Sequence, residues 1–89
     1  MRAGRLMTQH MFYTYVLKSK RDDKLYIGWT NDLNQRLRKH NTGQVDATKY
    51  RLPLELVYYE ACLDQENAIV REKQLKTGFG RVYLKRRLT

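Results

Sequence analysis

The tightest constraint on this fold comes from two short runs, Phe12-Tyr13-Thr14-Tyr15-Val16-Leu17 and Leu25-Tyr26-Ile27-Gly28-Trp29, separated only by a charged segment. Aromatic and β-branched residues dominate both runs, which is strand composition. Lys18 to Asp23 reads as a charged turn, and the two runs on either side of it form an antiparallel hairpin. With the turn centred on Lys20-Arg21, Tyr15 stands opposite Tyr26, and both rings share one sheet face. No Asn-Gly pair fixes that register.

A helix follows at once. Thr30, Asn31 and Asp32 are helix-starting types, and the pattern predicts a helix from Asp32 to about Asn41, stopped by Gly43. Leu33 and Leu37 form its apolar stripe. At about 100° per residue, Arg36 and His40 fall on the same side as those leucines, whereas Arg38 and Lys39 point to solvent. Two basic side chains are therefore aimed at the protein body or at the rim of a cleft.

Thr42 to Leu52 reads as a polar loop carrying Lys49, Tyr50 and Arg51, closed by Pro53. Leu54 to Tyr59 reads as a third strand with Leu54, Leu56 and Tyr58 on one face. Asp64 caps a second helix, from about Gln65 to Lys76, with Ala68, Glu72 and Leu75 inward and Arg71, Lys73 and Gln74 outward. Gly78 ends that helix. Arg81 to Leu88 forms a short basic closing helix, with Val82, Leu84 and Leu88 available for packing. The order β-β-α-β-α-α predicts an α+β fold: a small three-stranded antiparallel sheet flanked by helices.

Eighty-nine residues supply one hydrophobic core, so residues 11–89 read as a single domain and residues 1–10 as an extension, with Met7 and Met11 as alternative starts. Eighteen Lys and Arg against nine Asp and Glu leave a formal net charge of +9. So large an excess on so small a body repels itself and points to a polyanionic partner. Nucleic acid fits better than a membrane, because no apolar run approaches a spanning length and the bases are scattered along the chain. The first nine residues lack the apolar core of a secretion signal. The single Cys62 has no internal disulfide partner and no ligand-spaced companions, so a reduced, cytoplasmic setting is the default.

Several residue groups carry possible chemistry, each with a plainer reading beside it. Arg36 with His40 reads as a phosphate clamp, the guanidinium gripping two oxygens as charge builds, or as the basic edge of an amphipathic helix. Glu72 reads as the holder of one Mg²⁺ or Mn²⁺, or as a buried carboxylate bonded to an arginine or a tyrosine hydroxyl. Among seven tyrosines, Tyr15 and Tyr26 stand out by sharing the hairpin next to the Arg36 helix. Lys18, Trp29, Lys49, Arg51 and Lys76 are candidates for contacting a nucleic-acid backbone or its bases. No phosphate-cradling glycine loop, paired-histidine motif or Gly-x-Ser-x-Gly turn is present.

These residues, in order and at their spacing, resemble the GIY-YIG nuclease superfamily, in particular small single-domain members related to the nuclease domain of the bacterial excision-repair incision subunit. Tyr26-Ile27-Gly28 is the second signature. Tyr13-Thr14-Tyr15 stands in place of the first, with its tyrosine kept and its glycine and isoleucine replaced. Arg36 follows Tyr26 by ten residues, as the family's catalytic arginine does; His40 and Glu72 match its His/Tyr and metal-binding glutamate positions. Trp29 stands where some relatives carry lysine, and the asparagine that larger members place after the glutamate has no match.

The resemblance implies a metal-dependent endonuclease, with Tyr15, Tyr26, Arg36, His40 and Glu72 catalytic and Mg²⁺ or Mn²⁺ on Glu72. DNA, single-stranded, double-stranded or distorted, is the implied substrate, DNA repair the setting, and a monomer or homodimer the active form. The alternative is a non-catalytic DNA- or RNA-binding module that retains the nuclease fold.

Overall fold

In the computed structural model residues 10–89 are described, and the expectations for residues 1–9 lie outside them. The elements run β1 (Phe12–Ser19), β2 (Leu25–Thr30), α1 (Leu33–Asn41), β3 (Leu54–Cys62), α2 (Gln65–Leu75) and α3 (Gly78–Leu88). The sheet order is β2-β1-β3, with both outer strands antiparallel to the central β1. This is the α+β arrangement that the order of sequence patterns predicts. Among the described residues, no helix is long and apolar enough to cross a membrane.

Alternation along β1 splits the interior into two small cores. Tyr15 and Leu17 face one way and join Leu54, with Tyr26, Leu33, Leu37 and Leu56 packed around them on the α1 side. Val16 faces the other way and meets Leu75 of α2 and Leu84 of α3, with Ile27, Val57 and Tyr58 alongside. Each fully buried aliphatic side chain contributes about 1.5–3 kcal/mol. Asp32 caps α1 by accepting from the Gln35 amide at 3.1 Å, and Asp64 caps α2 from the Glu66 amide at 3.0 Å.

The hairpin register differs from the expected one. Tyr15 pairs with Gly28, and Tyr26 pairs with Leu17. The pairing slides two residues along β2, because Asp23 adopts a left-handed φ of 62° and its amide bonds back to the Ser19 carbonyl at 2.9 Å. Ser19 Oγ also accepts from the Arg21 and Asp22 amides. An even slide preserves the face, so Tyr15 and Tyr26 still share it, as diagonal rather than direct neighbours.

β3 departs further. Val16 pairs with Tyr58 but Leu17 pairs with Leu56, so Val57 is an extra residue in the strand. This bulge turns the side chains beyond it. Leu54 and Leu56 lie on the α1 face, while Tyr58 lies on the face of α2 and α3 and does not share theirs. Gly78, expected to end a helix, instead opens α3: Thr77 Oγ1 accepts from the Gly80 amide at 3.2 Å as its cap. Gly80 fits against the backbone of Gln74 and Leu75, where a Cβ has no room. Starting the helix there leaves Val82, expected to pack, 56% exposed, while Leu84 is buried.

Candidate active site

Tyr15 is the hub. β1 places it on the α1 face, 1% exposed, with its hydroxyl 2.9 Å from His40 Nε2. Arg36 Nε donates to the same oxygen at 3.3 Å, and His40 Nδ1 lies 2.8 Å from Thr48 Oγ1. The helical spacing that set Arg36 and His40 on the inner side of α1 is what delivers both to one phenol. His40 and Thr48 are fully buried. Tyr26 is half-buried beside them, its ring 6.4 Å from that of Tyr15 and 5.1 Å from the His40 imidazole.

Gly28 makes this hub possible. It stands opposite Tyr15, and a Cβ there would sit 2.6 Å from the phenol oxygen. The glycine of the second signature thus clears space for the tyrosine of the first.

The protons follow from the donors. A guanidinium N–H can only donate, so the Tyr15 oxygen accepts from Arg36. The buried Tyr15 O–H then has one acceptor within reach, His40 Nε2, which leaves the imidazole proton on Nδ1 for Thr48 Oγ1. Burial, more than the nearby Arg36 charge, pushes His40 down to about 4, so the ring is neutral at neutral pH. Burial also raises Tyr15, against the opposing pull of Arg36. The hydrogen bond to Tyr15 is the main reason that Arg36 is raised. Among the described residues Arg36 makes no ion pair. Its charge is held by phenols, not by an acid.

Glu72 comes from α2, which packs against β1 and β2. Its side chain is 17% exposed, and Oε2 accepts from Lys76 Nζ at 3.0 Å. The carboxylate is close enough that its charge contributes to the raised Tyr15. No group of three or more His, Cys, Asp and Glu occurs among the described residues, so a metal here would have one protein carboxylate. That donor set suits a hard divalent ion that keeps several waters and takes phosphate oxygens, and Glu72 Oε1 has no bond partner among the described residues.

The candidate backbone-binding residues are spread apart. Lys18 projects from the sheet face opposite Tyr15 and lies 4.0 Å from Asp23. Trp29, half-buried, pairs with Thr14, also on that opposite face. Lys49 lies 3.4 Å from Asp46 and 5.2 Å from the Tyr50 ring centre. Arg51 ties down the hairpin turn, donating from Nε to Asp22 at 2.9 Å and from Nη2 to the Lys24 carbonyl at 3.0 Å. That contact holds the Asp22 carboxyl down at about 2. Lys76 sits beside Glu72.

Two features have no clear signal in the sequence. Thr48 lies in a polar loop with no periodic pattern, and only the path of that loop back under α1 brings it to His40. Arg71, expected to face out, is half-buried: it grips Glu60 with Nε and Nη2, both at 2.9 Å, and rests on the Tyr83 ring. A long side chain can reach back across the sheet edge from a position that a helical wheel places outside.

The model of the GIY-YIG catalytic domain family matches residues 11–86. A UPF0213 protein of Bacillus pumilus is 43% identical over 72 residues, covering 80% of this chain and 72% of that protein. Another, from Clostridium perfringens, is 43% identical over 67 residues, covering 74% and 71%. The solution structure of a UPF0213 protein from Bacillus halodurans superposes with a TM-score of 0.52 at 31% identity, covering 83% of this chain and 81% of that one.

Proposed function

The chain belongs to the GIY-YIG family, and on that footing we propose that it is an endonuclease that hydrolyses phosphodiester bonds in DNA, with Glu72 holding Mg²⁺ or Mn²⁺. A GIY-YIG domain implies a nuclease fold and a nucleic-acid substrate, and nucleases of this family generally use divalent metals. The observation that carries the reading is Arg36: a guanidinium that donates to the buried Tyr15 oxygen and makes no ion pair among the described residues.

The reaction is in-line attack of water on phosphorus, forming a new P–O bond as the bond to the leaving oxygen breaks. Arg36 binds the non-bridging oxygens and steadies the charge that builds on them. Tyr26, the more accessible of the two tyrosines, orients the water and, as the phenolate, takes its proton. Tyr15 is too deeply buried for that task. It fixes the Arg36 guanidinium instead, and His40 with Thr48 fixes Tyr15. A divalent ion held by Glu72 would supply Lewis-acid stabilisation of the developing charge. We place this activity in residues 11–89, in the cytoplasm and with no membrane partner.

The test is cleavage of single- and double-stranded DNA with Mg²⁺ or Mn²⁺, comparing wild type, Glu72→Ala and a chelator-treated sample. Cleavage that both the substitution and the chelator remove supports the enzyme. Cleavage that survives Glu72→Ala takes the metal away from that residue. The second reading, a non-catalytic nucleic-acid-binding module, is favoured by the Lys76 ammonium already on Glu72. Binding without cleavage on any substrate would establish it.

A further inference from the structure

Two surface grooves meet at Arg81. One, of about 900 Å³, starts at Tyr26 and runs between β2 and the junction of α2 with α3, with Lys76 on its rim. The other, of about 660 Å³, continues beneath the hairpin turn past Lys18 and Lys85 to the end of α3. Asp23, Leu25 and Arg81 line both, so the two form one channel from the edge of the candidate active site to the far end of the molecule.

The channel has a chemical pattern. Its floor is apolar, built from Leu25, Ile27, Leu84 and Leu88, and its walls are cationic. Six Lys and Arg line it against the two acids Asp23 and Glu55. Arg81 and Lys85 are exposed and make no ion pair among the described residues. α3 carries no acidic residue at all. An apolar floor between cationic walls complements a chain that is apolar at its bases and anionic at each phosphate.

We propose that this channel holds the single nucleic-acid strand that leaves the candidate active site, so that the substrate runs around the β2 edge and along α3. The opposite course, over the solvent side of α1, offers the exposed bases Arg38 and Lys39, neither of which lines this channel. The proposal rests on the nuclease reading for where the strand begins, and on charge and shape for where it goes. A single strand fits because its unstacked bases can lie on the apolar floor, which a closed duplex cannot offer.

The experiment compares two variants of equal charge, Arg81→Gln/Lys85→Gln and Arg38→Gln/Lys39→Gln. Binding of a single-stranded oligonucleotide is followed by fluorescence anisotropy across a salt series in chelator. The α3 pair is expected to weaken binding at least about tenfold and to flatten the log-log salt slope by about 1.4, two contacts at roughly 0.7 each. The α1 pair changes affinity less than about twofold. Equal losses from both pairs, or none from the α3 pair, overturn the channel.

In the wild type, oligonucleotide-induced shifts of α3 amides with α1 solvent-side amides unmoved support the channel without any substitution, and the reverse pattern overturns it. A matched duplex bound as tightly as the single strand overturns the single-strand assignment. Failure of the nuclease reading looks different: the channel binds as described, and no substrate is cleaved.

Discussion

Two arginine–tyrosine networks flank the central strand, and their difference separates a charge-balanced cluster from an open one. On the α2–α3 side, Arg71 grips Glu60 bidentately, Tyr58 donates to Glu60 at 2.5 Å and lies 2.7 Å from the Tyr83 hydroxyl. That network contains its own counter-charge and is closed. On the α1 side, Arg36 leans on the Tyr15 oxygen, behind which stand neutral His40 and Thr48. Glu72, the candidate metal-holding acid, is bonded to Lys76. The same residue types thus give a satisfied ion pair in one place and an unanswered positive charge in the other. An unanswered charge held by a rigid frame is what a phosphate site needs.

Breaking each network in turn sharpens the contrast. The largest effect is expected from Arg36→Ala, which should lower cleavage about 10²–10³-fold while leaving the urea midpoint close to wild type. Arg71→Ala in the same assay should keep activity. If the two swap behaviours, the contrast fails.

Next comes pH. The unfolded chain protonates His40 near 6.5, whereas the folded chain resists until about 4. Protons therefore favour the unfolded state as pH falls through that window. Stability should be level above about 6.5, fall on the order of 3 kcal/mol between there and 4, and level off below. Urea unfolding across pH tests this, and His40→Phe should flatten the dependence.

Thr48→Val keeps the shape but removes the partner of the buried Nδ1–H, at about 1–3 kcal/mol. Imidazole ¹⁵N shifts should show Nδ1 protonated in the wild type and mixed tautomers in the variant, with Thr48→Ser restoring the first pattern. Nε2 protonated in the wild type would reverse the proton assignment. The smallest effect is expected from breaking the closed network: Arg71→Ala should lower the urea stability by about 1 kcal/mol, because its ion pair is partly solvated.

Much of this was legible in the residues. The composition of the two runs and their short connection imposed the hairpin, Asp32 and Asp64 marked the helix starts, and the period of α1 put Arg36 and His40 on its inner side. What escaped was set by geometry with no local signature. The register depended on Asp23 accepting a left-handed φ, which an Asn-Gly pair would have advertised. The face of Tyr58 depended on a bulge at an ordinary valine. The partnership of His40 with Thr48, eight residues on, came from how a loop folds back, and no pattern of hydrophobicity encodes that. Glu72 was legible as an inward carboxylate, but its pairing with Lys76 competes with the apolar-face reading at the same helical spacing.

The extra residue in β3 has a consequence for which changes this chain can absorb. Val57 works like an inserted letter in a text read in twos: ahead of it the strand serves one layer of the protein, behind it the other. Deleting Val57 would leave Leu56 opposite Leu17 and Tyr58 opposite Val16, where they already stand, so Glu60 would stay with Arg71. Keeping Val57 but flattening the bulge into the ladder would instead invert every residue from Tyr58 to Cys62. The bulge, more than the residue that fills it, keeps Glu60 in the layer of Arg71 and out of that of Arg36.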